Sequence, residues 1–224
     1  MKKLNNFEYF TYKLTSYLNT NHSFIIISAT SSTLRNKMSQ LDTIPPQLLR
    51  FGDSTLYETS LPFKLPDEMP LVHQTLRLME QATKNLGIVG IAAPQIGILK
   101  RLVMFEVPAE HPRYKTDGVA IPMRALINPT YKPLSNEQNL EWEACLSISG
   151  MMGKVPRYTH IEYQYTDLEG KSHTHEASHF HARVVQHELD HLDGILYPLR
   201  IKDMRTFGFR EEIIISAAFL ENRE

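Results

Sequence analysis

QHELDHLDGILY, residues 186–197, decides how the rest of the chain is read. At about 3.6 residues per turn, His187 and His191 project from one face of a helix, one above the other, with Glu188 beside them. Two imidazoles so placed can share one metal ion, and the adjacent carboxylate can move protons. The same face continues through Val184 and Phe180, so apolar side chains should border the metal. The spacing predicts a helix over residues 179–193, capped by Ser178 and stopped at Gly194.

The third ligand sets the class of such a site. The metzincin pattern HExxHxxGxxH holds through Gly194 but meets Tyr197 where its last histidine belongs. A thermolysin-like site would need a glutamate from a later helix, with Glu211, Glu212 and Glu221 as candidates. The other strong ligand is Cys145, the single cysteine, in EWEACLSISG. A thiolate with two imidazoles leaves a fourth position open for water. Read alone, Cys145 is equally a small buried apolar residue.

Upstream, RLVMFEV (101–107) and residues 124–128 read as strands. Residues 158–166 alternate, with Ile161, Tyr163 and Tyr165 on one side, and a turn at 167–170 leads to a partner strand over 171–177. An earlier helix takes Asp67 as its cap and the stripe Val72, Leu76, Met79, Leu86, ending at Gly87. Residues 203–224 end in a short helix. The pattern implies an α+β domain, with mainly antiparallel sheets packed around a central helix that bears HExxH. Four histidines, His173, His175, His179 and His181, crowd one segment. No thiol or well-spaced carboxylate accompanies them, so they read as alternation on an exposed strand and helix start.

With 224 residues, 42% hydrophobic, the chain can bury one ordinary core. A net charge of -1 gives no field that favours nucleic acid or an anionic membrane. Its longest apolar runs, Phe24 to Ile27 and Ile213 to Ile215, are far too short to span a bilayer. A lone cysteine excludes an internal disulfide and suits a reducing compartment. Pro45-Pro46 divides an extension, residues 1–45, from a domain over residues 46–224. In the first forty residues Glu8 is the one acid and Arg35 the one arginine. That composition fits a transit segment, an ordinary extension, or a chain whose natural start is Met38.

GIVGIAAPQIG (87–97), EACLSISG (143–150) and QHELDHLDG (186–194) resemble, in that order, the three signature motifs of peptide deformylases. The resemblance runs from about Leu49 to Phe207. VPR (155–157), DMRTF (203–207) and an insertion near residues 110–122 are most similar to the organellar-type branch. It implies a hydrolase that removes the N-formyl group from the initiator methionine of nascent polypeptides. It makes Cys145, His187 and His191 the ligands of one divalent metal, iron or zinc, with nickel or cobalt also accepted. Glu188 becomes the general base and acid. Gln95 and the Leu146 backbone N–H stabilise the oxyanion. Backbone at Val89 and Gly90 holds the substrate, Glu143 stands on the substrate side, and Phe180 and Val184 line the methionine pocket. The resemblance further implies ribosome-proximal action in a bacterial cytoplasm, or an organelle if residues 1–45 are a transit segment. No membrane and no sequence-specific nucleic acid are implied as partners.

Four positions depart from the motifs. Ile88 and Ala144 replace glycines, Ser149 a proline and Met152 an arginine. The Ala144 methyl is expected to crowd the thiolate or narrow the cleft. Two other readings stand beside a deformylase: an HExxH amidase or peptidase with another third ligand, and a metal-holding binding protein without turnover.

Overall fold

The computed structural model describes residues 46–84, 86–107 and 120–221, with side chains through residue 216 apart from that of Val107. The extension over residues 1–45 and most of the insertion near 110–122 lie outside the described residues. Five strands form an antiparallel sheet in the order β1-β2-β3-β6-β7: β1 (Gly90–Ala92), β2 (Leu102–Val107), β3 (Ile121–Pro133), β6 (His160–Thr166) and β7 (Ser172–Ser178). A second sheet of three holds β4 (Gln138–Glu143), β5 (Met151–Tyr158) and β8 (Phe207–Phe209). Its pairings are also antiparallel.

The helices are α1 (Met69–Thr83), α2 (His179–Leu192) and α3 (Arg210–Glu221). β2 shows why the sheet needs two of them. Val103 and Phe105 pack with Val185, Leu189 and Leu192 of α2, whereas Leu102 and Met104 pack with Val72, Leu76 and Met79 of α1. A strand covered on both faces reads as a continuous apolar run, as RLVMFEV does. α2 also contacts β5, so it lies against both sheets and is the central helix expected.

The HExxH helix keeps its expected span within a residue, and Gly194 follows it at φ +72. Side-chain capping by Ser178 does not occur. Ser178 is the last residue of β7, still paired opposite His160, and its backbone remains extended. α1 likewise begins after Glu68, not at Asp67, and it ends at Thr83. The Glu68 carboxylate bonds the Lys64 N–H at 2.8 Å and Lys100 Nζ at 2.6 Å. Thr83 Oγ1 turns back to the Met79 carbonyl, and Leu86 is exposed beyond the helix.

The β6 alternation holds, with Ile161 and Tyr163 fully buried. The opposite register of Tyr163 to His175 and Tyr165 to His173 puts these rings on one face of the β6–β7 pair. His173 and His175 are therefore half-buried beside tyrosines, which corrects the exposed alternation read from sequence. The smaller sheet was not legible as such, because β4 and β8 carry little alternation.

Candidate metal centre

His187 and His191 stand one helical turn apart on α2, their rings 5.2 Å apart and nearly perpendicular. Cys145 comes from the connection between β4 and β5, just before the short helical turn Leu146–Ile148. Its Sγ lies 3.3 Å from His191 Nε2. One ligand atom from each of Cys145, His187 and His191 falls within 4.8 Å of the others. Among the described residues these are the three that gather as a candidate metal site. Glu211 and Glu212 are exposed on α3 and do not join it; the Glu221 side chain lies outside the described residues.

The donor set suits a divalent transition metal. The buried Glu188 Oε2, next in the chain to His187, has no hydrogen-bond partner among the described residues. Buried polar atoms are seldom left so unless a water or an ion completes them. Burial alone would raise the Cys145 thiol, but His191 and His187 facing it hold it well below the ordinary thiol range. The sulfur is thus favoured as thiolate, the form that binds metal.

Glu188 is 5% exposed, and this burial pushes its carboxyl above the usual carboxylate range against the pull of His187 and His191. Gly90 makes room for it. A Cβ at Gly90 would fall 2.5 Å from Glu188 Oε1. The glycine therefore seats the Glu188 carboxylate, a role that its motif alone did not reveal.

Gln95 sits in the short turn Ala93–Ile96 and is 2% exposed. Its Oε1 accepts the Ala92 N–H at 2.9 Å, which orients the amide nitrogen toward Cys145 Sγ at 3.5 Å and Ser147 Oγ at 3.2 Å. Because the oxygen is already engaged, the amide offers donors to the centre.

The Glu143 carboxylate is taken up by protein groups. Its Oε2 meets His187 Nδ1 at 2.8 Å, Arg157 grips both oxygens at 2.9 and 3.0 Å, and Arg183 Nη1 reaches Oε1 at 2.7 Å. Burial alone would raise this acid, but Arg157 and then His187 hold it far below the ordinary carboxylate range. A permanent carboxylate at Nδ1 fixes the His187 ring so that Nε2 faces the thiol. The network continues outward from Arg157 to Asp190 at 2.5 Å and from Asp190 to Arg200 at 2.7 Å. Sequence reading missed Arg157, Arg183 and Asp190; the signal was three charged residues on segments that otherwise read as buried.

Phe180, Val184, Val89 and Gly90 line a cleft of about 600 Å³ that opens onto Cys145, His187 and Glu188. Ala144 also lines it and is exposed. Residues 45–207 match the family model described as polypeptide deformylase. The chain belongs to this deformylase family.

Peptide deformylase 1 of Nitrosomonas europaea is 44% identical over 169 residues, covering 74% of this chain and 93% of that protein. Peptide deformylase 2 of Ralstonia nicotianae is 43% identical, covering 73% and 91%. Among solved structures, the class I type b peptide deformylase of Acinetobacter baumannii with bound Met-Ala-Ser has a TM-score of 0.64 and 31% identity, covering 71% of this chain and 99% of that one. A Synechococcus elongatus deformylase in complex with actinonin gives 0.61 and 30%, covering 73% and 85%. No helix among the described residues is long and apolar enough to cross a membrane.

Proposed function

We propose that residues 46–224 form a catalytic domain that hydrolyses the formyl amide of N-formylmethionyl nascent polypeptides, releasing formate. The observation that carries this is the convergence of Cys145, His187 and His191 beside a buried Glu188 and an amide-presenting Gln95. Cys145 Sγ and one nitrogen each of His187 and His191 would hold the metal, iron(II) or zinc, with nickel or cobalt also compatible with these ligands. When bound there, a divalent ion supplies Lewis acidity, polarising a carbonyl oxygen and letting a water ionise near neutral pH.

The chain's own groups do the rest. Glu188, held above the ordinary carboxylate range by burial, takes a proton as the water oxygen bonds to the formyl carbon. It returns that proton to the amine nitrogen as the C–N bond breaks, leaving formate and a free methionine amine. Negative charge that collects on the carbonyl oxygen meets Gln95 Nε2 and the Leu146 N–H; one such donor contributes about 2.7 to 4 kcal/mol. β1 is an edge strand of its sheet, so backbone at Val89 and Gly90 can pair with an extended peptide. The methionine side chain enters between Phe180 and Val184.

The bacterial origin of the relatives fits a cytoplasmic setting, and a nascent-chain substrate would place the activity near the ribosome; an organelle would require residues 1–45 to act as a transit segment. Purified, metal-loaded protein should release formate from formyl-Met-Ala-Ser, measured by coupled formate oxidation. Absence of formate from protein shown to carry one metal per chain would overturn the reading and leave a metal-holding binding protein.

A further inference from the structure

The charges that line the cleft divide into two groups. Glu143, Arg183 and Glu188 are buried, the first two bound to each other and the third at the reaction centre. Arg210 is the one exposed charged residue on the lining. It forms no salt bridge among the described residues, in contrast to Arg157, Arg183, Arg200 and Arg205.

Arg210 is fixed in place by backbone. It is the first residue of α3 and follows β8, whose Gly208 and Phe209 pair with Met152 and Met151 of β5. Its own N–H donates to the Gly150 carbonyl at 2.8 Å. Gly150, Met151 and Met152 line the same cleft, so the arginine is anchored to its lining by backbone. Glu211 and Glu212 follow it on α3 and are exposed, but neither lines the cleft and neither is bonded to the guanidinium among the described residues, so Arg210 is the group left to meet an anion from the cleft side.

We propose that Arg210 is a specificity-determining residue that favours substrates with an acidic residue shortly downstream of the methionine. This rests on the deformylase reading. A chain leaving the metal centre in extended form advances about 3.3 to 3.6 Å per residue, so each residue after the methionine meets a different part of the cleft, and an acid placed at successive positions finds the one that faces Arg210. The contact is solvent-exposed, and exposed ion pairs contribute about 0.2 to 1 kcal/mol, a selectivity of roughly 1.5- to 5-fold.

The test uses the full chain, metal-loaded, with formylated hexapeptides carrying Asp, Ala or Lys at the third, fourth or fifth position. At low salt kcat/KM should favour Asp over Lys at one position or more, through KM, and the preference should shrink as salt is added. R210A should bring the ratio to near one, R210E should invert it, and R210K should keep most of it. An Asp/Lys ratio that is the same in wild type and R210A at every position overturns the proposal. If no peptide is deformylated, the functional reading fails separately. Calorimetric binding of the unformylated Asp and Lys hexapeptides to wild type and R210A then decides Arg210 by itself: equal affinities overturn it, an Asp preference lost in R210A supports it. Circular dichroism melts of each variant exclude misfolding as the cause.

Discussion

His187 and His191 converge on Cys145, whereas His173, His175 and His181 are arranged alongside Tyr163 and Tyr165. In the first region two rings on successive helical turns meet nearly edge-on, at 77°, with nitrogens aimed at a common point. In the second, strand register makes the rings lie flat: Tyr165 and His173 stack 5.2 Å apart at 19°, Tyr165 and His175 5.7 Å apart at 17°. The histidines of this ladder have local partners. His173 bonds Asp167, His175 the Tyr165 hydroxyl at 3.3 Å, and His181 the Tyr163 hydroxyl at 3.3 Å. Both regions are rich in histidine, which by itself says little. What separates them is whether ring nitrogens converge, and whether a buried carboxylate such as Glu143 fixes the ring from behind.

The largest effect should come from removing a converging ligand. Cys145→Ala leaves two imidazoles, and metal content should fall from about one per chain to near zero, with deformylation reduced on the order of 10³-fold or more. Replacing His173 and His175 together by alanine should leave metal content as it was. Elemental analysis of both proteins puts the comparison at risk: metal lost from the ladder variant, or kept by Cys145→Ala, would undo it.

Glu143→Gln tests the support from behind. The amide keeps the shape but surrenders the charge that neutralises Arg157 and Arg183. Competition with a chelator should show metal held about 10- to 100-fold more weakly. Leaving two buried guanidiniums with less counter-charge should also cost about 3 to 5 kcal/mol in urea unfolding. An unchanged chelator curve would mean that His187 needs no carboxylate to face the thiol.

The difference between the regions was only half legible in the sequence. Helical period alone places His187, Glu188 and His191, and the alternation in β6 alone places Ile161 and Tyr163. Cys145 could be reached only by elimination and resemblance, since the β4–β5 connection that carries it has no periodicity of its own. The Glu143–Arg157–Asp190 chain was invisible because its successive members are 14 and 33 residues apart on three different elements, and pairing of buried charges is a tertiary fact. Ser178 and Asp67 satisfied local capping rules, yet a strand ladder and the Glu68 contacts to Lys64 and Lys100 prevailed. Gly90 was legible as a place where something must come close, but not that the close neighbour is Glu188.

One methyl group should matter in the first region and not in the second. In Gly90→Ala the new Cβ would sit 2.5 Å from Glu188 Oε1, so the carboxylate or β1 must shift. Overpacking of this kind costs about 1 to 3 kcal/mol, and a base displaced by a fraction of its working distance should lower kcat about 10- to 100-fold. Metal content should stay near one per chain, because no ligand is touched. A full kcat in this variant would show that Glu188 has room the structure does not give it.

The effect that leaves the metal centre untouched concerns protons in the ladder. Burial, with Arg124 and then His175 nearby, pushes His181 down from 6.5 to about 4. Arg124 Nη1 donates to the Tyr163 hydroxyl at 3.0 Å, and that hydroxyl faces His181 Nε2, so a second positive charge there is disfavoured. The unfolded chain therefore takes up this proton before the folded one does. Stability from this site is complete above pH 6.5, falls as pH drops toward 4, and changes no further below it. At about 1.4 kcal/mol per unit, and discounting for partial exposure, the loss is roughly 2 to 3 kcal/mol. His181→Phe, which keeps a ring between Phe105 and Tyr163, should flatten urea-derived stability between pH 6.5 and 4. An identical slope in wild type and variant would assign the acid sensitivity elsewhere and leave the ladder as packing alone.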